Sequence, residues 1–374
     1  MLYVLFPVVV VAACYQILTL IACLIRILTE DRGMPEGELP AVSILKPVYG
    51  RDPHFYQAIR SHAMQEGMEF EILFGVRSLD DPAAEDVRRL QREFPALPVR
   101  LILSKTPQPN PKVGVLVDLA REARHPILLV NDSDIQVPPG YLRRVTAVLR
   151  DPKVGLVTCL YRAEAGTAPA KFEALGITTD FAPSTLAAPF VGVNEFALGS
   201  TMAFRAEDLK AIGGFEAIGS YLADDYQLGK RLTRLGKRCE LSEVIVETHL
   251  GGQTWGDVWK HQLRWARTIR ASRFDGYVGL PVTFASFWAA VALAFGYWWL
   301  AVPLLVIRLT MGLAAARVLH SPEAVSLALL IPVRDLWGTA IWVQGLFGRT
   351  VEWRGKRITL DREGRIVTLE PGTS

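Results

Sequence analysis

Asp132 and Asp134 close the run Ile127-Leu128-Leu129-Val130-Asn131-Asp132-Ser133-Asp134. Two carboxylates spaced i and i+2 after an apolar strand are suited to hold a divalent cation. Acids this close repel one another, and a hard cation between them and the phosphates of a ligand relieves that repulsion. A strand that is apolar throughout fits a parallel sheet buried on both faces, whose ligands bind outside the carboxyl ends of the strands. The pair is therefore placed to meet a nucleotide diphosphate. Asp and Ser are also ordinary turn residues, so this spacing gains weight only from its company. Asp80-Asp81-Pro82 follows a second apolar run, Phe70–Val76, at the same predicted edge. Asp224-Asp225 opens a helical stretch that continues to about Leu235. One aspartate satisfies a helix start, which leaves the other for chemistry. Asp225 is read as a general base that takes the proton of a hydroxyl, with Asp224 capping or orienting.

These side chains need a scaffold. Residues 41–47 read as a first buried strand punctuated by Pro40 and Pro47. A helix over 54–65 leads to the strand 70–76, a helix over 84–94 to the strand 99–103, and a helix over 113–123 to the strand 127–130. Strands alternating with helices of this length are the signature of βαβ units and a parallel sheet covered on both faces. The spacing thus predicts an α/β nucleotide-binding layer. Further strands are expected at 155–161, 200–205 and 244–249, and helices at 206–212 and 255–273. The last helix carries Arg264, Arg267, Arg270 and Arg273 together with Trp255, Trp259 and Leu263. A basic, tryptophan-bearing helix before an apolar segment reads as a membrane-surface element. The sharper alternative gives Arg264 a phosphate to hold and Trp265 an acceptor to pack against.

Half of the 374 residues are hydrophobic and mean hydropathy is +0.23, more than a purely soluble chain of this size needs. The excess sits at the two ends. Between Leu2 and Ile25 there is no charged residue, a stretch long enough to cross a bilayer core of about 30 Å at about 1.5 Å per residue. Its positive charges, Arg26 and Arg32, follow it, unlike those of a secretory signal, and put Met1 outside and the chain from about Thr29 in the cytosol. Residues 281–300 and 301–318 predict a transmembrane hairpin with Arg308 inside it. Residues 325–347 are broken by Pro332, Arg334 and Asp335 and allow two arrangements: a single crossing would leave Arg349, Arg354, Lys356 and Arg357 outside, against the positive-inside rule, whereas a surface segment over 324–331 followed by a dip and return over 336–347, the favoured reading, keeps them cytosolic. Arg334 and Asp335, near membrane depth, require partners or a polar cavity.

The expected organisation is an N-terminal transmembrane helix (1–28), a cytosolic domain (40–253), an amphipathic interfacial helix (254–276), transmembrane or re-entrant helices (280–347) and a cytosolic tail (348–374). A net charge of +3 without zinc-finger spacing or an aromatic-basic repeat argues against nucleic acid as a partner. Attraction to anionic headgroups accounts for the excess. Cys14, Cys23, Cys159 and Cys239 contain no C-x-x-C pair and are expected as reduced thiols. No obligate protein partner is evident.

Ser43-Ile44-Leu45-Lys46-Pro47, Asp80-Asp81-Pro82-Ala83, Asn110-Pro111-Lys112-Val113, Asp132-Ser133-Asp134, Asp224-Asp225-Tyr226, Arg264-Trp265, Val333-Arg334-Asp335 and Trp353-Arg354-Gly355, in this order, resemble the inverting ceramide glucosyltransferases. Within that group they are similar to the bacterial hopanoid-biosynthesis glycosyltransferases. The resemblance implies a Rossmann-like GT-A domain, a UDP-sugar donor, a Mg2+ or Mn2+ ion and the hydroxyl of a membrane lipid, ceramide or hopanoid, as acceptor of glucose or N-acetylglucosamine. It implies Asp81 (or Asp80) at the uridine, Asp132 and Asp134 at the ribose-diphosphate and metal, and Asp225 at the acceptor hydroxyl. Arg264 and Trp265 would close a Gln/Arg-x-x-Arg-Trp motif whose first place is here His261. Lys46 and Lys112 match family positions that meet phosphates, although a solvated lysine is the commoner outcome. The implied location is a bacterial inner membrane, with the catalytic domain facing the cytosol. Two other readings stay open. A processive polysaccharide synthase shares the carboxylates but needs a pore of several helices; a non-catalytic nucleotide-binding membrane protein needs neither the separate acidic pairs nor the Arg-Trp.

Overall fold

The computed structural model describes residues 1–29 and 33–371. Glu30 and Arg32 of the expected linker and residues 372–374 of the tail lie outside the described residues. The elements run α1 (Leu2–Leu28), β1 (Val42–Pro47), α2 (Phe55–Ala63), β2 (Phe70–Val76), α3 (Ala83–Glu93), β3 (Val99–Leu103), α4 (Pro111–Glu122), β4 (Ile127–Val130), α5 (Tyr141–Val148) and β5 (Val154–Ala165). They continue as α6 (Ala168–Gly176), a π-helical turn (Ile177–Phe181), α7 (Ala182–Ala187), β6 (Met202–Arg205), α8 (Ala206–Ala211), α9 (Asp224–Arg234) and β7 (Arg238–Leu250). The last part comprises α10 (Trp255–Ser272), α11 (Phe274–Gly279), α12 (Ala285–Ala294), α13 (Trp298–Val318), α14 (Pro322–Ser326), α15 (Ile331–Gly345), β8 (Thr350–Trp353), β9 (Lys356–Leu360) and β10 (Ile366–Pro371). Contacts group them into two compact units, Asp31–Tyr161 with Val193–His249, and Met1–Glu30 with Arg162–Gly192 and Leu250–Ser374.

The first unit is built on a seven-stranded sheet of order β3-β2-β1-β4-β6-β5-β7. Strand periodicity splits its apolar side chains between two faces. Ile44, Ile72, Phe74, Ile127 and Leu129 meet Phe55, Ile59, Val87, Leu90 and Tyr141 from α2, α3 and α5. Leu45, Leu73, Leu128 and Val130 meet Val113, Leu116 and Leu119 of α4, and Leu228 and Leu232 of α9. The expected parallel pairing holds from β3 to β4. Beyond β4 it does not: β6 is antiparallel to both β4 and β5. A long return path between β5 and β6, in place of a βα crossover, lets the chain enter the sheet from the opposite end.

In the second unit, Leu5, Val9 and Ala12 of α1 pack on Ala285, Ala289 and Ala292 of α12 and on Ala301 and Leu304 of α13. Alanine at these places lets the helix backbones approach closely. Among the described residues, α1 and α13 are long and apolar enough to cross a membrane, and the segment Phe274–Thr283 with Ala285–Ala294 adds a third only if its 54° bend is one broken span. The predicted hairpin therefore needs correction. Its turn falls at Gly296, where φ is +78°, not at residue 300, and α12 has only 10 residues, about half a bilayer core in length. The break expected within 325–347 is absent, because α15 runs unbroken through Arg334 and Asp335. Pro332 sits in its first turn, the place where a proline costs a helix nothing.

The tail is a three-stranded antiparallel sheet rather than plain chain. Arg354 and Gly355 make its first turn, both with positive φ, as two-residue hairpin loops require. The four cysteines are free thiols, as expected.

Candidate active site

The register of β4 brings the first acids and bases together. Leu45 of β1 pairs with Val130 of β4, so Lys46 and Asn131 leave the sheet side by side. The Lys46 ammonium is fully buried and donates to the main-chain carbonyl of Asp132 at 3.2 Å. Burial pulls its pKa down to about 7 against the raising charges of Asp134 and Asp132. On the other side of β4, antiparallel β6 starts where β4 ends, with Val130 opposite Met202. The residues just before β6 thus flank the acidic turn. The Asp132 N–H donates to the Gly199 carbonyl at 3.0 Å, and buried Asn131 donates to the Ser200 carbonyl and Thr201 hydroxyl. These contacts hold the turn rigidly, as a preorganised site needs.

The second group comes from two helix starts. Asn110 caps α4 by accepting the Lys112 N–H and donates its amide to the Tyr221 carbonyl at 2.9 Å, which fixes the approach to α9 against α4. Lys112 then lies between two acids, 2.8 Å from Asp132 Oδ1 and 3.2 Å from Asp224 Oδ2. Burial alone would lower its pKa, but the carboxylates of Asp132 and Asp224 carry it above the ordinary lysine value. Of the two roles left open for Asp224, capping is not the one it takes: the N-cap place belongs to Ala223 and no side chain bonds there. Its carboxylate is drawn to Lys112 instead. Half-buried Asp225 is raised to about 6, first by burial and then by the charge of Asp224, with Lys112 opposing.

Asp134 is raised by burial and by its neighbour Asp132, while the Thr248 hydroxyl donates to it. Four carboxylates (Asp132, Asp134, Asp224, Asp225) thus face two ammonium groups (Lys46, Lys112), an excess of negative charge. The donor set is carboxylate oxygen, the ligand type of Mg2+ and Mn2+ rather than of softer metals. Donors of this type are compatible with a divalent cation.

The other predicted residues make contacts of their own. Asp80 is exposed, and Asp81 accepts the N–H groups of Gly50 and Ala83, each at 2.9 Å. It thereby ties the loop after β1 to the loop after β2. Arg264 and Trp265 are on α10 in the second unit. There the Trp265 ring lies 4.7 Å from that of His261 and 6.2 Å from that of Phe181, and His261 Nδ1 is 2.5 Å from Glu173 Oε1. The basic face of α10 is partly internal: Arg267 and Arg270 donate to main-chain carbonyls between Leu346 and Thr350.

Sequence reasoning missed Gly199. A Cβ there would stand 2.7 Å from Asp132 Oδ2, so only glycine leaves that carboxylate where it is. No spacing signals this, because the proximity is made by the antiparallel β4–β6 pair. Gly199→Ala is expected to leave the thermal midpoint nearly unchanged, since the clash is with a side-chain tip, and to lower catalytic turnover by about 10- to 100-fold through displacement of Asp132. Unchanged turnover would show that the position of the Asp132 carboxylate is unimportant.

Comparison with known proteins adds the following. Ceramide glucosyltransferase 1 of Caenorhabditis elegans is 33% identical over 211 residues, 56% of this chain and 45% of that protein. Ceramide glucosyltransferase 3 of the same organism is 29% identical over 222 residues, 55% of this chain and 46% of that protein. The chain spans about half the length of the curated relatives it matches. A mannosyltransferase of Pyrobaculum calidifontis, solved in complex with GDP-Man and Mn2+, superposes with a TM-score of 0.53 over 92% of this chain and 99% of its own, at 18% identity. At that identity the likeness establishes the GT-A-like fold alone. Residues 4–366, nearly the whole chain, match glycosyl transferase family 21, and the protein belongs to that family.

Proposed function

We propose that the protein transfers a hexose, glucose or N-acetylglucosamine, from a UDP-sugar to the hydroxyl of a membrane lipid of ceramide or hopanoid type, inverting the anomeric centre. The observation that carries this reading is the bridge from Asp132 through Lys112 to Asp224, next to Asp225 with its raised pKa. A phosphate-facing charge cluster and a proton acceptor thereby share one crevice at the strand ends. The GT-A-like fold and the ceramide glucosyltransferase relatives support it.

In this mechanism Lys112 stabilises negative charge that develops on the departing diphosphate. A divalent cation held by Asp132 and Asp134 would neutralise further charge on the same phosphates. Asp225 takes the proton of the lipid hydroxyl as its oxygen attacks the anomeric carbon, and a single displacement inverts that centre. Lys46 holds the acidic turn through the Asp132 carbonyl. Asp80 and Asp81 are assigned to the uridine, and Arg264 and Trp265 to catalysis, on their match to the family motifs. Membrane anchoring suits an acceptor that cannot leave the bilayer, and α1 and α13 supply helices apolar enough for it. The positive charges that follow α1 support a reading with the sheet-bearing unit on the cytosolic side, and the family resemblance suggests a bacterial inner membrane.

The test incubates the full chain with radiolabelled UDP-glucose or UDP-N-acetylglucosamine and vesicles with or without ceramide or a hopanoid polyol. Label should enter the organic phase only when a lipid hydroxyl is present, stop on chelation and resume with Mg2+ or Mn2+. Label released equally without lipid, or gathered in a water-soluble polymer, would overturn the proposal.

A further inference from the structure

The second unit contains a cavity that the proposed reaction does not use. It has a volume of about 510 Å3 and is lined by the end of α10, the start of α11, the stretch after α15 and the β9–β10 turn. Four arginines face it, Arg267, Arg270, Arg349 and Arg362, with Asp361 as the acid among its lining residues. That carboxylate is already engaged, because its Oδ1 accepts the N–H groups of Glu363 and Arg365 and its Oδ2 lies 4.0 Å from the Arg365 guanidinium. Among the described residues, no carboxylate lies within salt-bridge distance of any of the four arginines.

Two of the cations are held in place by neutral partners. Arg267 donates to the Phe347 and Thr350 carbonyls, and Arg270 to those of Leu346 and Gly348. Carbonyl groups orient a guanidinium without cancelling its charge. Burial and the neighbouring Arg270 cation both work against the charge on Arg267. Guanidiniums fixed by main chain and left uncompensated are the arrangement that recognises phosphate.

The surroundings say which phosphate. Phe274 lines the cavity, is 64% exposed, and opens the apolar segment Phe274–Thr283 that leads into α12. Leu346 also lines the cavity, and its neighbour in the chain, Phe347, is 68% exposed. A basic cavity at the mouth of an apolar, candidate membrane segment sits where headgroups of anionic lipids concentrate.

We propose that this cavity binds the phosphate of an anionic phospholipid headgroup, anchoring the second unit to anionic membrane independently of donor and acceptor binding. Arg267 and Arg270 form its fixed floor, and Arg349 and Arg362, both exposed, close over the headgroup.

The full chain in detergent would be titrated with dihexanoyl-phosphatidylglycerol, with the zwitterionic dihexanoyl-phosphatidylcholine, with glycerol phosphate and with inorganic phosphate. Binding of the phosphatidylglycerol probe should exceed that of the other three and weaken with salt. The pair Arg349→Gln with Arg362→Gln, whose side chains make no hydrogen bond among the described residues, should weaken it by about tenfold or more without moving the thermal midpoint. Binding of phosphatidylcholine as tight as that of phosphatidylglycerol, equal binding of free phosphate, or unchanged affinity in the folded variant would each overturn the proposal. Should the variant not fold, the salt dependence and headgroup preference of the unaltered chain decide.

Discussion

Asp225→Asn is expected to lower glycosyl transfer by about 10^2- to 10^4-fold, the span that a positioned general base contributes, while UDP-sugar binding stays close to that of the unaltered chain. The amide matches the carboxylate in shape and still accepts the Tyr226 N–H that Asp225 Oδ1 accepts at 2.7 Å. It cannot take a proton. Asp132, Asp134 and Lys112, which the proposal sets against the diphosphate, are left in place. The pH profile supplies a second check. Burial and the Asp224 charge raise Asp225 to about 6, and a base works only when deprotonated. Activity should therefore be half-maximal at about pH 6, nearly full about one unit above it, and fall with acid below it by about tenfold per pH unit. Transfer and donor binding measured side by side separate the outcomes. A wild-type rate in Asp225→Asn removes the base assignment, and loss of donor binding together with transfer makes Asp225 a member of the scaffold instead.

The second large effect is on stability and lies among the helices of the second unit. Arg308, on α13, is 1% exposed and lies between Asp335 on α15 and Asp180 in the π-helical turn. Its Nη2 is 2.7 Å from Asp335 Oδ1 and 2.6 Å from Asp180 Oδ1, and its Nη1 donates to the Thr179 carbonyl at 3.0 Å. Asp335 also accepts the Ser286 N–H at the start of α12. Arg334 completes the group, 3.2 Å from Asp180 Oδ2 and bonded to Gln262 of α10 at 2.9 Å. Charge balances across it, two arginines against two aspartates. The adjacent pair Arg334-Asp335 is thus satisfied by other helices rather than by itself, because neighbours on a helix point in different directions.

Arg308→Met is expected to destabilise the fold by about 3–5 kcal/mol, since it strands a buried carboxylate while its hydrophobic surroundings remain. Unfolding in detergent would measure it. The double variant Arg308→Met with Asp335→Leu should regain a large part of that loss, because a buried ion pair replaced as a whole by apolar side chains is often tolerated. A double variant no more stable than Arg308→Met alone would show that the pairing is not what Arg308 contributes.

Much of the fold was readable in advance. The apolar runs 70–76, 99–103 and 127–130 appear as strands with those bounds, because a strand buried on both faces carries its signal in consecutive residues. The helix expected from 113 begins two residues earlier, because Asn110 caps it and Pro111 takes its first turn. The membrane region was less legible. Pro332 looked like a break and is a helix start, and the turn at Gly296 was missed, since an unbroken apolar composition carries no periodicity to locate a bend. The tail sheet escaped notice although Arg354-Gly355 was on view, because a hairpin needs its flanking strands to be recognised first.

By itself, the sequence determined which residue types stand at the strand exits and which segments are apolar enough for a membrane, since both are properties of near neighbours in the chain. Tertiary structure alone decided that Lys112 bridges Asp132 and Asp224, that Gly199 makes room for Asp132, and that Arg308 rather than Arg334 partners Asp335. Each of these joins residues far apart in the chain, and a carboxylate's pKa and partner depend on burial and on charges brought close in space, which local spacing does not encode.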